Sequence, residues 1–506
     1  MSTKGAGHRD HPEVTAALGG LSARLRSGDA RGVAVDSVKL ARAHDDDARI
    51  HDIASTALAM IASRDRAHEH ALRAIELLPT DPGLVARCVS VLQRAGDPGT
   101  ALSAVERAMY AHKNDPRLHK LKVALLTDLG KGRDAVRAIK AMLKAVGEPK
   151  DPGDVASLTL MRARLAPEHS DARESIEALR GLIGSETIQP GFRRAGAFQL
   201  GRLLESVENY EGAWSAYTTG NELLGASWDP DAHSARIDAL IQAWPSLDVV
   251  PESTVRPGPD DARPVFVLGM MRSGSSLLEQ MLAQLDGLVG GDEQSVILEQ
   301  IARLEHHTDL DTRPLPISID RYTQDEIDAI TRAGLAKYTE IMHAAGASGS
   351  LVSDKQTEHF LCAGLLARLF PDSLIIHTTR NPIDTCVSNY VQSFAQGHPH
   401  TTKLDWIGRY HTDSERLMAH WRSIGVEMIE VNYAQLVSDP ESVTRNIAQA
   451  LGLEWSGSVL DFHKSKRTVS TASRDQVRQP IHTRSVGRAE RFSAHLDELR
   501  AALTQT

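Results

Sequence analysis

Hydrophobic and polar positions divide this chain into two kinds of text. From roughly Val14 to Trp244 it reads as helix after helix, rich in Ala, Leu and Arg and broken by short polar stretches. Beyond Pro264 the pattern changes. Val265 to Leu268 is a continuous apolar run bounded by Pro264 and Gly269, as expected of a parallel strand buried on both faces. Leu277, Leu278, Met281, Leu282 and Leu285 then recur at steps of three and four, with Glu279, Gln280 and Gln284 on another face, which predicts an amphipathic helix. Leu351-Val352-Ser353, Leu374 to Thr379 and Met428 to Asn432 are further strand candidates, each leading toward helical text. Strands alternating with helices predict a parallel α/β sheet whose ligands sit outside the carboxyl ends of the strands.

The helical region has a period. Asp81-Pro82 recurs as Asp115-Pro116, Gly96 as Gly130, Ala67 as Ala101 and Ala135, and Ala74 as Ala108, always 34 residues on. Thirty-four is the tetratricopeptide period, in which small residues at fixed places let paired antiparallel helices approach closely. The stretch Leu200 to Asn221 resembles that consensus most closely, and its Tyr210 and Trp214 are expected to pack between helices. Prolines crowd residues 246–263, so the expected division is repeats over 14–245, a linker over 246–263 and a second domain over 264–506.

Composition narrows the function. With 57 Lys and Arg against 66 Asp and Glu the net charge is −9, so there is no basic footprint for nucleic acid. The first ten residues lack an apolar core and no later run is long enough to span a bilayer, which makes the cytoplasm the default location. Cys88, Cys362 and Cys386 are few and without metal-ligand spacing, as suits packing in a reducing compartment.

Between the first strand and its helix lies Gly269-Met270-Met271-Arg272-Ser273-Gly274-Ser275-Ser276. A tight strand-loop-helix turn aims backbone N–H groups and the helix dipole at one spot, where an anionic phosphate is the natural occupant. The segment fits the P-loop pattern except that Ser275 replaces the lysine that clamps a nucleoside triphosphate. Arg272 supplies a forked cation instead. A second anion pocket is expected at Arg380 to Ser388, where a strand-end arginine, Asn381 as N-cap and Pro382 as first helical residue lead to Ser388 two turns along. Two separate anion pockets suggest a nucleotide phosphorylated at both ends.

Taken jointly, R-S-G-S-S after a strand, D-K after the next, R-N-P-x-D-x-x-x-S and N-Y-A-Q-L-V-S-D-P-E resemble the sulfotransferase superfamily. With the repeats, the chain is similar to bacterial tetratricopeptide-repeat sulfotransferases and, through them, to tyrosylprotein sulfotransferases. The resemblance implies an all-α tetratricopeptide solenoid followed by a three-layer α/β, P-loop-like parallel-sheet domain that uses 3′-phosphoadenosine 5′-phosphosulfate. It implies that Arg272, Ser273, Gly274, Ser275 and Ser276 bind the 5′-phosphosulfate, that Arg380, Ser388 and Arg488 bind the 3′-phosphate, and that Tyr433 lies near the adenosine. It further implies that Glu293 takes the acceptor's proton while Lys355, Ser473 and Arg272 steady charge on the moving sulfuryl group. Asp292, adjacent to Glu293, stays open as the base. The pattern departs from the family's at Met271, usually proline, and at Ala434 and Ala489.

Sulfuryl transfer is electrostatic and proton-transfer chemistry, so no metal is expected. The acceptor is a hydroxyl or, less readily, an amine; repeat surfaces point to a protein or peptide, with a glycan or metabolite equally open. Two rival readings are an ATP-using P-loop kinase and a repeat scaffold with a silent nucleotide-binding domain.

Overall fold

A computed structural model describes residues 8–60, 64–95, 97–169, 171–307, 312–394, 397–465 and 479–504. It divides into two compact units, Met1–Ser206 and Val207–Thr506.

The first unit is helical throughout, and its helices keep the period of the sequence. Pro82–Ala95 and Pro116–Asp128 begin 34 residues apart, as do Pro98–Ala111 and Gly132–Val146. The recurring aspartates are caps: Asp81 accepts the N–H of Leu84 at 2.7 Å and Asp115 that of Arg117 at 2.9 Å, with proline pre-setting the first turn. Ala67, Ala74, Ala101, Ala108 and Ala135 are all at most 1% exposed, so the small residues sit where helices touch. Polar bridges run at the same step. Arg87 donates to Asp52, Gln93 to Asp128 and Lys120 to Asp154, each across 34 or 35 residues, joining equivalent helices of neighbouring repeats.

The second unit is built on five parallel strands, β1 (Arg263–Gly269), β2 (Leu288–Gly290), β3 (Leu351–Asp354), β4 (Ile375–Thr379) and β5 (Ile429–Asn432), in the order β2-β3-β1-β4-β5. β2 was not among the strand candidates. Alternate residues of β1 feed cores on opposite faces, which makes the unit three-layered. Val265 and Val267 pack with Leu278, Met281, Leu282 and Phe462. Phe266 meets Phe370 at 5.4 Å and Tyr338 at 6.2 Å on the other side.

Helices Tyr210–Glu222 and Pro230–Ala243 are compact with this second unit. Trp214 stacks on Tyr390 at 5.0 Å and on His495 at 5.2 Å, and Tyr210 meets Phe492 edge-on. These rings pack between helices, as expected, and cover the α/β unit, where Asn221 also donates to the Tyr390 carbonyl at 2.9 Å and Ser234 to Asp413 at 2.7 Å. Among the described residues no helix is long and apolar enough to cross a membrane.

Candidate functional site

The strand order reverses on either side of β1, so loops leaving the carboxyl ends of β1, β3 and β4 diverge around a crevice. The loop after β1 is shaped by residues of unusual conformation. Gly269 has φ +135°, and a Cβ there would meet the Thr378 carbonyl at 2.5 Å; Gly274 has φ +106°, and its Cβ would lie 2.6 Å from the Tyr433 ring. Arg272 holds a left-handed φ of +69° between them. Helix Ser275–Leu282 follows with no side-chain cap, so its first backbone N–H groups are open to an anion.

A cavity of about 310 Å³ lies over this loop. Arg272, Gly274, Ser275, Ser276, Glu293, Arg380 and Tyr433 all line it. The expected pair of separate anion pockets is thus one continuous space. The cause is strand register: Gly269 pairs with Thr378 in the sheet, so Arg380 emerges directly beside the loop that carries Arg272. Arg380 donates to the Arg272 carbonyl at 3.2 Å, and Arg272 Nε donates to Ser388 Oγ at 3.1 Å. The Arg380 guanidinium lies 4.8 Å from the Tyr433 ring centroid.

Not every expected residue faces the cavity. Ser273 turns away, its hydroxyl bonded to Thr378 Oγ1 at 2.6 Å and its N–H to the Met270 carbonyl. Ser388 is buried behind Arg272. Arg488 opens a short 3-10 helix after Gly487, near enough to depress both Arg272 and Arg380. Ser473 lies outside the described residues.

Charge in the site is unbalanced. Desolvation, then repulsion from Arg380 and Arg488, pulls the Arg272 guanidinium down to about 10. Burial lowers Arg380 as well, partly offset by Asp384. Arg272 is depressed by Arg380 and Arg488, and Arg380 by Arg488, so positive charge crowds a well that an anion would relieve.

Beside this well, the end of β3 places Lys355, fully buried, with Nζ 2.5 Å from Glu293 Oε1. The Glu293 side chain is 46% exposed and faces the cavity, whereas Asp292 is buried with φ +57° and its carbonyl accepts the Lys355 N–H at 2.8 Å. Two buried carboxylates grip the turn on either side of Glu293. Glu279 accepts the Asp292 N–H at 2.8 Å and the Ser353 hydroxyl at 2.9 Å. Asp354 accepts the N–H groups of Gln294 at 3.2 Å and Gln356 at 3.1 Å and the Tyr338 hydroxyl at 2.7 Å. Sequence periodicity put Glu279 on a polar face; here it is fully buried because both sides of its helix are covered.

Sequence reasoning also missed the far wall. Arg313 donates to Glu358 at 2.6 Å, and His398 lies 3.7 Å from the same carboxylate; all three line the cavity. Burial opposes the Arg313 charge, but Glu358 overcomes it and raises the group. His398 is pushed down to about 4 by burial and is neutral at physiological pH.

Residues 264–457 match the model of the sulfotransferase family. Over that segment the chain is similar to the sulfotransferase family. Over 383 residues the chain is 28% identical to an uncharacterized protein of Aquifex aeolicus (strain VF5), covering 74% of this chain and 48% of that protein. Over 238 residues it is 23% identical to protein-tyrosine sulfotransferase 2 of Gallus gallus, covering 44% of this chain and 62% of the relative. The chain therefore spans about half the length of the first relative and under two thirds of the second. Sulfotransferase STF9 from Mycobacterium avium overlaps 68% of this chain and 95% of its own at 15% identity and a TM-score of 0.28, too loose a likeness to carry any argument. The matched segment takes in β1 from Pro264 onward, β2 to β5, Arg272, Glu293, Lys355, Arg380, Ser388 and Tyr433; Arg488 and the turn before it lie beyond its matched end.

Proposed function

We propose that the protein transfers a sulfuryl group from 3′-phosphoadenosine 5′-phosphosulfate to a hydroxyl or amine of an acceptor. The observation that carries this reading is the single cavity: the loop Arg272 to Ser276 and the Arg380–Tyr433 wall face one space, with Glu293 beside them. The loop lacks the lysine of a triphosphate site, Ser275 standing in its place, which favours this donor over ATP.

In this reading Arg272 and the first N–H groups of helix Ser275–Leu282 hold the 5′-phosphosulfate, while Arg380 and Arg488 take the 3′-phosphate and Tyr433 borders the adenosine. Ser388 acts through Arg272, and Ser273 braces the loop against Thr378. The acceptor oxygen attacks sulfur as the bond from sulfur to the 5′-phosphate oxygen breaks. The acceptor's proton passes to the Glu293 carboxylate. Adenosine 3′,5′-bisphosphate and a sulfate ester leave. Lys355 holds Glu293 in place through their ion pair and presents a cation where charge grows on the leaving oxygen. Glu293 rather than Asp292 is the base, since Asp292 is buried away from the cavity.

The helical repeats and the tyrosine named by the chicken relative make a protein or peptide the first acceptor class to test. Titration calorimetry with adenosine 3′,5′-bisphosphate and with ATP tests the donor: the bisphosphate binds, and Arg380→Ala weakens it more than it weakens adenosine 5′-phosphate. Incubation of labelled donor with lysate fractions then shows which molecule takes the label. ATP binding as tightly as the bisphosphate would refute the donor assignment.

A further inference from the structure

The start of the first unit gathers a second set of chemistry-bearing side chains. His11 precedes helix Pro12–Arg26, Glu13 lies in that helix's first turn, and His44 follows helix Ala30–Ala43. One ligand atom from each of the three lies within 4.8 Å of the other two. His44 Nε2 is 3.7 Å from Glu13 Oε2, and the two imidazole centroids are 4.5 Å apart. The His11 ring is not spent on capping its helix, which has no side-chain cap. It is instead fixed by a carboxylate: His11 Nε2 and the part-buried Asp46 Oδ1 are 2.6 Å apart.

We propose that His11, Glu13 and His44 form a binding site for a transition-metal dication of the zinc class, with Asp46 orienting His11 from behind. Two imidazole nitrogens and one carboxylate oxygen are a zinc-type donor set that leaves a fourth position for water, whereas calcium and magnesium would call for oxygen ligands throughout. With Asp46 accepting the Nε2 proton, the remaining His11 nitrogen carries a lone pair. This is the carboxylate–histidine–metal arrangement that fixes tautomer and raises ligand basicity. Glu13 and Asp46 together bring two negative charges to balance the dication.

Bond lengths near 2.0–2.2 Å place tetrahedral ligand atoms about 3.4 Å apart. The His44–Glu13 separation is already within a few tenths of that. Glu13, whose side chain is 70% exposed, can change rotamer to meet an ion held between the two imidazoles. A bound ion would tie the beginning of the first helix to the turn after the second, a contact that otherwise rests on hydrogen bonds such as His11 N–H to Asp47 at 3.1 Å. It would therefore stabilise the first unit.

The test uses the full chain without an affinity tag. Zn²⁺ is titrated against a chromophoric chelator, and Co²⁺ is added separately to read the coordination geometry by visible absorption. One site with the intense bands of four-coordinate Co²⁺ is expected, together with a rise in melting temperature on adding Zn²⁺. His11→Ala and His44→Ala each abolish the site; Asp46→Asn, which keeps the ligands, weakens it about 10- to 100-fold. His70→Ala, removing a histidine outside the set, leaves it unchanged. Should Zn²⁺ affinity be the same in wild type, His11→Ala and His44→Ala with circular dichroism showing all three folded, the site does not exist. A weak six-coordinate Co²⁺ spectrum unaltered by these substitutions would overturn it equally.

Discussion

Asp384→Ala should weaken binding of adenosine 3′,5′-bisphosphate although Asp384 does not line the cavity. The carboxylate sits in the first turn of helix Pro382–Tyr390, where Oδ2 accepts the Gly487 N–H at 2.7 Å and Oδ1 the Ala489 N–H at 2.9 Å. It thereby holds the turn that carries Arg488 and stands 3.9 Å from Arg380. Hydrogen bonds to a charged group contribute about 1.5–3 kcal/mol each, so the pair is worth roughly 3–6 kcal/mol to the anchoring of that turn. The segment does not detach when they are lost, because Ala489, Phe492 and Leu496 remain buried. What must be restored on binding is the order of one turn and one long cation, on the order of 2 kcal/mol, or about thirty-fold in Kd. Calorimetry on wild type, Asp384→Ala, Arg488→Ala and the double variant measures this. If both single changes act through Arg488, the double variant binds about as weakly as either alone. Adenosine 5′-phosphate, lacking the 3′-phosphate, should bind all four alike. A folded Asp384→Ala protein with wild-type bisphosphate affinity, or one that loses both nucleotides equally, refutes the reasoning.

Three further outcomes follow from the same geometry. Gly274→Ala forces a side chain into a left-handed backbone 2.6 Å from the Tyr433 ring, costing about 1–3 kcal/mol locally, and should lower bisphosphate affinity roughly ten-fold or more by calorimetry while far-UV circular dichroism is unchanged. Burial pushes the Asp354 carboxyl up to about 7 from an ordinary 3.8, so its neutral form is favoured in the fold. The stability it contributes is complete below pH 4 and is lost as pH rises through 7, at most about 4 kcal/mol. Denaturant midpoints measured from pH 4 to 8 should therefore slope less in Asp354→Asn, and equal slopes would count against the shift. Arg87→Ala leaves the buried Asp52 carboxylate without the guanidinium that donates to it at 2.8 Å, and should destabilise the first unit by about 2–3 kcal/mol in thermal unfolding without changing bisphosphate binding.

Whatever repeats at short range was readable before any coordinates. The 34-residue step is visible because caps and small contact residues recur at fixed offsets, and Asp115 and Ala101 serve the roles that spacing implies. Four strands stand out as apolar runs. β2 does not, because three residues, Leu288–Gly290, are too few to show any period. Asn381 as a cap with Pro382 behind it was legible for the same local reason: the side chain accepts the Asp384 N–H three residues on.

The parts that stayed hidden are those whose partners are distant in sequence. Asp384 meets Gly487 across 103 residues, Glu279 meets Ser353 across 74, and Arg272 meets Ser388 across 116. No periodicity encodes such pairs, and a motif reading that treats each stretch alone will describe the loop after β1 and the end of β4 as two sites. Parallel pairing of Gly269 with Thr378 makes them one. The merger changes the electrostatics, because Arg380, which a separate pocket would keep apart, now lies beside Arg272 and depresses it. A nucleotide bound there is held by a cluster whose charge is coupled. Removing Arg380 relieves Arg272, so the loss of bisphosphate affinity for Arg272→Ala with Arg380→Ala should fall short of the sum of the single losses.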